Sequence, residues 1–77
     1  MFNETTLFKA FSYDRTMVFL LKQFCDGSYA LDCTVNNNHT AYKFTDLHIA
    51  KLAWQQKIKD CERYSKFVIV PPVGQMG

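Results

Sequence analysis

The sequence predicts an α+β fold: a small, mostly antiparallel sheet of four or five strands with one helix packed on one face, in the order β-β-β-β-α-β. A chain of 77 residues has room for a single hydrophobic core. Residues 22–31, "KQFCDGSYAL", place Asp-Gly between two segments of alternating apolar residues, which indicates a β-hairpin. Residues 45–64, "TDLHIAKLAWQQKIKDCERY", repeat apolar residues at helical spacing.

Composition favours one folded domain over residues 1–77. Hydrophobic residues make up 48% of the chain and aromatic residues 16%, which is sufficient to fill a core. Pro71 and Pro72 end the last predicted strand, and residues 71–77 are expected to form a loose tail. The longest apolar run, residues 17–21, is too short to cross a membrane. Because no signal-peptide pattern opens the chain and the three cysteines are odd in number, we expect a cytoplasmic protein with free thiols.

The N-terminal segment has two interpretations. Residues 5–13 form either a strand, with Leu7, Phe11 and Tyr13 on one face, or a short helix. Asp14, Arg15 and Thr16 would then form a turn into the next strand.

The hairpin sets the faces of the sheet. If Asp26-Gly27 forms a two-residue type I′ turn, Cys25 faces Ser28 across the hairpin. One face then collects apolar residues and is predicted to be the core face: Val18, Leu20, Phe24, Tyr29, Leu31, Cys33 and Val35. The other face carries Phe19, Leu21, Ala30 and Asp32. The alternative is that residues 17–24 form a helix ended by Gly27.

The second half predicts a loop, a strand, a helix and a strand. Asn36 to His39 is the loop and Thr40 to Phe44 the strand. Thr45 is the predicted helix N-cap, with Asp46 in the first turn. The apolar stripe of the helix consists of Leu47, Ala50, Trp54, Ile58 and Cys61, widened by Ile49 and Ala53. Lys66 to Val70 is apolar after its first residue and is predicted to be a central or covered strand.

One helix cannot cover both faces of such a sheet, so the sequence predicts an uncovered, partly apolar face. An apolar patch of this kind is often a contact surface. A second candidate is the basic face of the helix, since most lysines lie in the second half of the chain. The predicted partner-binding residues are Phe19, Leu21, Asp32, Lys51, Gln55 and Lys59.

The sequence contains no motif that predicts catalysis, a metal site or a cofactor. The cysteines and histidines are widely and irregularly spaced, unlike the paired ligands of a zinc site or the elements of a nucleophilic triad. Cys33 and Cys61 are expected in the core and Cys25 at the surface. A net charge of +2 does not favour nucleic acid as a partner, although Phe8, Phe19 and Tyr42 with Lys9 and Lys43 could stack bases on an open sheet.

In layout, the chain resembles small phage-encoded proteins that bind and block a host enzyme, including anti-CRISPR inhibitors. The resemblance depends on the short length, on "VFLLKQFCDGSYALDCTV" as a curved hairpin and on "YKFTDLHIAKLAWQQKI" as strand, cap and helix. It implies a non-catalytic interaction protein in the host cytoplasm that sterically blocks a larger partner, such as a host nuclease or defence complex. The alternatives are a homodimeric regulatory or structural protein and a small nucleic-acid- or nucleotide-binding protein.

Overall fold

A five-stranded antiparallel sheet forms one layer of the molecule, and a single helix packs on one face of it. The computed structural model describes residues 4–70. The strands pair in the order β4-β3-β2-β1-β5, which confirms the predicted α+β class. The elements in chain order are β1 (Glu4–Ser12), β2 (Met17–Phe24), β3 (Tyr29–Val35), β4 (Asn38–Phe44), α1 (Leu47–Cys61) and β5 (Phe67–Val70). The predicted tail, residues 71–77, lies outside the described residues.

The N-terminal segment is a strand. β1 pairs with β2, and the register shifts between Thr6 and Phe8, which leaves Leu7 as an extra residue in a β-bulge. The turn that follows is held by Asp14, whose Oδ1 accepts hydrogen bonds from Ser12 Oγ at 2.7 Å and Thr16 Oγ1 at 2.8 Å. Both bonds lower the pKa of the Asp14 carboxyl, and the bond from Ser12 has the larger effect.

The hairpin between β2 and β3 exists, but its predicted turn type is wrong. Phe24 donates its N–H to the Ser28 carbonyl at 2.9 Å, and Gly27 donates to the Phe24 carbonyl at 3.1 Å. Gly27 has a φ of +89°, whereas Asp26 is not among the residues with positive φ. A type I′ turn needs positive φ at both central residues, so the loop is the three-residue kind that ends in a left-handed glycine.

The extra loop residue shifts the register by one and exchanges the two faces of β2. Phe19 now lies opposite Cys33, and Leu21 opposite Leu31. Phe19 and Leu21 are 0% exposed in the core beneath α1, and the expectation that they lie on the uncovered face is therefore wrong. Val18 and Leu20, predicted for the core, face away from the helix instead.

The hairpin between β3 and β4 has the two-residue type I′ turn that the sequence predicted for the hairpin between β2 and β3. Asn36 and Asn37 have φ values of +49° and +71°, and Val35 pairs directly with Asn38. This is a two-residue turn with positive φ at both positions, so β4 begins two residues before the predicted Thr40. The Asn36 N–H also donates to the Thr16 carbonyl at 2.8 Å, which ties this turn to the one between β1 and β2.

The helix begins one residue later than predicted, because Asp46 rather than Thr45 is its N-cap. The Asp46 side chain accepts a hydrogen bond from the Ile49 N–H at 3.2 Å. Ala50, Trp54 and Ile58 are buried as the stripe predicts, and Ala53 and Cys61 pack against the core. Leu47 and Ile49 are exposed, so the buried stripe is narrower than expected.

β5 is an edge strand next to β1, not a central one. It pairs only with β1, from Ser12 opposite Phe67 to Lys9 opposite Val70. Phe67 reaches the core, where its ring stacks on that of Phe19 at 5.4 Å between centroids. Ile69 and Val70 are exposed, as expected for the short outer strand of a sheet.

The register predicts that truncating two neighbouring side chains of β2 lowers the free energy of unfolding by unequal amounts. Phe19→Ala should lower the free energy of unfolding by about 3–5 kcal/mol, because it leaves a cavity beneath the helix. Leu20→Ala, on the other face, should cost about 1 kcal/mol. Urea denaturation measures both, and a larger loss for Leu20→Ala would contradict the register.

The loop conformation makes Gly27 sensitive to substitution for a backbone reason alone. Apart from the two chain neighbours of Gly27, no atom of residues 4–70 lies within 4 Å of a Cβ placed there, so contact with the rest of the described protein does not oppose a larger side chain. Gly27→Ala should lower the free energy of unfolding by about 1 kcal/mol, because alanine is strained at a positive φ. Gly27→Asn should cost clearly less, because asparagine tolerates that region. Equal losses in urea denaturation would show that the backbone conformation is not the cause.

Candidate functional site

The face of the sheet opposite the helix is here called the open face. Cross-strand partners in an antiparallel sheet share a face, so the even-numbered residues of β2 and β3 identify the rest of it. Within the described residues, no helix or strand covers this face. Its members on the five strands are Glu4, Thr6, Lys9, Phe11, Val18, Leu20, Lys22, Phe24, Ala30, Asp32, Thr34, His39, Ala41, Lys43, Val68 and Val70.

An apolar patch occupies the half of the open face formed by β2, β1 and β5. Phe11 lies between Val18 on one neighbouring strand and Val68 on the other. Leu20 and Val70 flank Lys9 in the same way. These five apolar residues, Phe11, Val18, Leu20, Val68 and Val70, are all at least partly exposed. Val70 is exposed and the other four are partly buried by their neighbours. The five lie next to one another on adjacent strands, and no helix or strand within residues 4–70 packs over them.

Two cations border the apolar patch at Phe11. The Arg15 guanidinium carbon lies 4.9 Å from the centroid of the Phe11 ring, and Lys9 Nζ lies 5.8 Å from it. Both distances fall within cation–π range. In the part of the chain that the structure describes, neither cation is within salt-bridge distance of a carboxylate. The patch therefore combines exposed apolar area with positive charge that has no acidic partner there.

The other half of the open face carries the ion pairs of the sheet. Lys22 Nζ lies 2.7 Å from Asp32 Oδ2 and 3.5 Å from Glu4 Oε1, and His39 Nε2 lies 3.7 Å from Asp32 Oδ1. The hydrogen bond to Asp32, more than any other influence, raises the pKa of the Lys22 ammonium. Ala30, expected to be exposed on this face, is buried between its cross-strand neighbours Lys22 and Lys43.

A pocket adjoins the apolar patch where two turns meet. It has a volume of about 240 Å³ and is lined by Arg15, Thr16, Val18, Thr34, Asn36 and Asn37. Arg15, Asn36 and Asn37 all have positive φ, so the turn conformations shape the pocket wall. A pocket of this size beside an apolar patch can receive one side chain of a bound protein.

The predicted contact residues do not form a single surface. Phe19 and Leu21 are sealed in the core and cannot meet a partner. Asp32 lies on the open face, bound to Lys22. The remaining three residues, Lys51, Gln55 and Lys59, are exposed on α1, on the opposite side of the sheet. Leu52 is 51% exposed on the helix, as its spacing predicted.

Sequence reasoning missed Phe11, Val18 and Leu20 as surface residues. The signal that could have identified them is the parity of β2: a three-residue loop at residues 25–27 places its even-numbered residues on the open face. The aromatic set proposed for base stacking is likewise dispersed. Phe8 packs on Trp54 at 5.2 Å between ring centroids, Phe19 is buried, and Tyr42 lies on the helix side.

The nucleophilic side chains are separated from one another and from the open face. Cys33 is buried, and desolvation raises the pKa of its thiol, which favours the unreactive neutral form. Cys61 is partly buried, and Cys25 is exposed as the first residue of the β2–β3 loop. Among residues 4–70, no three histidine, cysteine or acidic side chains are grouped closely enough to hold a metal ion.

Comparison of the chain with models of protein families, with curated proteins and with solved structures gave no match in any of the three. No helix within residues 4–70 has the length and apolar character needed to span a bilayer.

The ion pairs around Lys22 should contribute to stability in a pH-dependent way. Lys22→Met should lower the free energy of unfolding by about 1–2 kcal/mol at pH 7, because Asp32 loses its closest cation. The pKa of Lys22 is raised in the folded state, so its contribution is complete below 10.5, the ordinary lysine value, and is lost at higher pH. Urea denaturation from pH 7 to 12 should therefore show the gap between wild type and Lys22→Met narrowing above pH 10.5. A constant gap would contradict this assignment.

Proposed function

We propose that the protein is a non-catalytic interaction domain whose open face docks on a larger protein and sterically blocks it. The observation that carries the proposal is the partly exposed apolar patch around Phe11, over which no helix or strand of residues 4–70 packs. Lys9 and Arg15 border it without a salt-bridge partner among those residues. Apolar clusters that reach the surface in this way are typical of protein-binding sites.

The charges on the open face favour an acidic contact surface on the partner. Both acids of this face, Glu4 and Asp32, already pair with Lys22, whereas Lys9 and Arg15 have no carboxylate within reach among residues 4–70. A partner with carboxylates around an apolar centre would pair with these cations while it buries the patch. Such complementarity accelerates association and selects the partner.

The same charges disfavour a homodimer through this face. A two-fold axis at the patch brings Lys9 and Arg15 of one copy close to those of the other, without an acid to separate them. The layout resemblance to phage-encoded inhibitors leads us to propose a host nuclease or defence complex as the partner, blocked in the host cytoplasm.

Matched charge variants test whether the open face is the docking surface. Tagged wild-type protein, Leu20→Glu and Leu52→Glu would be used to capture proteins from a lysate of the native host. Leu20→Glu places an acid in the apolar patch and should weaken binding of the captured partner at least about tenfold. Leu52→Glu makes the same change on the outer face of the helix and should bind like wild type. Calorimetry with the purified partner measures both, after circular dichroism has shown that the variants fold.

Several results would overturn the proposal. Equal partner binding by wild type and Leu20→Glu would exclude the apolar patch as the docking surface. Loss of partner binding in Leu52→Glu alone would show that the docking surface is on the helix. A partner enzyme whose activity is unchanged at saturation would exclude blocking. Concentration-dependent dimerisation in sedimentation, abolished by Leu20→Glu, would favour the homodimer. Salt-sensitive binding of single-stranded RNA or DNA, lost with Arg15→Glu, would favour nucleic acid instead.

A further inference from the structure

The outer edge of β4 is a second surface with unpaired recognition groups. β4 pairs with β3 over all seven of its residues, from Asn38 opposite Val35 to Phe44 opposite Tyr29. No strand within residues 4–70 pairs with its other side. β4 contains no proline and its ladder has no bulge, two devices that commonly protect an edge strand.

The turn that precedes β4 determines which backbone groups point outward. In a hairpin closed by a two-residue turn, the residues that flank the turn exchange both hydrogen bonds, and bonded and unbonded pairs then alternate along the strands. Val35 and Asn38 flank the Asn36-Asn37 turn. Asn38, Thr40, Tyr42 and Phe44 therefore bond to β3, while His39, Ala41 and Lys43 direct their N–H and C=O groups outward.

Positive charge borders this edge on both faces of the sheet. Lys43 stands on the open face, and Lys57 Nζ lies 5.9 Å from the centroid of the Tyr42 ring on the helix side. Within residues 4–70, no carboxylate lies within salt-bridge distance of Lys43 or Lys57. Asp32 binds Lys22, and Asp26 accepts hydrogen bonds from Ser28 and is close enough to Lys43 for the lysine to help lower its pKa. An added strand with acidic side chains would thus find cations on either side of its backbone ladder.

A second copy of β4 fits this edge poorly. The full-length antiparallel register of two β4 strands centres on Ala41 and places each His39 opposite a Lys43. That pairing gives the lysine no carboxylate, whereas an acidic side chain opposite Lys43 would form an ion pair with it. We infer that the outer edge of β4 binds an extended, acidic segment of another protein by adding it to the sheet as a sixth strand. This site is separate from the apolar patch around Phe11, since β4 and β1 lie on opposite sides of β2 and β3 in the strand order.

The test uses two synthetic seven-residue peptides that alternate valine with either glutamate or lysine. Titration into the ¹⁵N-labelled full chain should shift the amide resonances of residues 38–44 with the glutamate peptide. The glutamate peptide should bind about fivefold more tightly than the lysine peptide, with the difference reduced by salt. Unchanged β4 resonances, or equal binding of the two peptides, would overturn the inference.

Two variants at one position separate the backbone contact from other causes. Ala41→Pro removes an outward N–H, and an edge strand tolerates proline at such a position. The variant should bind the glutamate peptide about fivefold more weakly, or weaker still, because one backbone hydrogen bond is lost. Ala41→Val keeps the N–H and should bind like wild type. Lys43→Glu leaves the backbone intact and should reverse the preference between the peptides, so the inference can still be refuted if Ala41→Pro does not fold.

Further outcomes distinguish this site from the apolar patch and from pairing of two β4 strands. Leu20→Glu should bind the glutamate peptide as wild type does, whatever its effect on the docking of a larger partner. Loss of peptide binding in Leu20→Glu would show that the apolar patch is the peptide site. Dimerisation of the free chain that Ala41→Pro abolishes would show that a second copy occupies the edge.

Discussion

The structure depends on the packing of the odd-numbered side chains of β2 against the helix. Trp54 lies at the centre of this contact: its indole N–H donates to the Phe19 carbonyl at 3.1 Å, inside the core. Phe8 packs on the Trp54 ring from the next strand, and Phe67 stacks on Phe19 from the far edge. Since a shift of one residue would turn Phe19 and Leu21 outward, this contact fixes the register of the whole sheet.

The same contact determines what the open face offers. The helix of 15 residues packs on the core side of the sheet, where Ala50, Trp54 and Ile58 are buried. It therefore covers none of the open face. Aliphatic side chains of β2 that point away from it, Val18 and Leu20, can only be covered from outside residues 4–70. The ion pairs of Lys22 occupy one half of the face, and the apolar patch lies in the other half. Lys9 and Arg15 border that patch without a salt-bridge partner among residues 4–70.

Much of the fold could be predicted from the sequence, because alternation and helical spacing are strong local signals. They identified the hairpin, the helix with Ala50, Trp54 and Ile58 on its buried side, and the order of the elements. The face of β2 could not be predicted in the same way. Met17, Phe19 and Leu21 alternate with Val18 and Leu20, and both sets are apolar, so only the loop length decides between them. Asp-Gly fits either a two-residue or a three-residue loop, and the candidate site therefore shifted with the turn.

The pairing of the first and last described strands has a consequence for how the chain folds. Three consecutive hairpins assemble β1 to β4 from neighbours in sequence, whereas β5 must return across the helix to join Lys9 and Ser12. Closing so long a loop carries a larger entropy cost than forming any hairpin. We therefore expect β5 to associate late, in a slow step, and until it does the outer side of β1 lacks this neighbour. In such an intermediate the backbone N–H and C=O groups on the outer side of β1 are unpaired, and they could pair with another chain. The intermediate would therefore be vulnerable to aggregation while the chain is being synthesised.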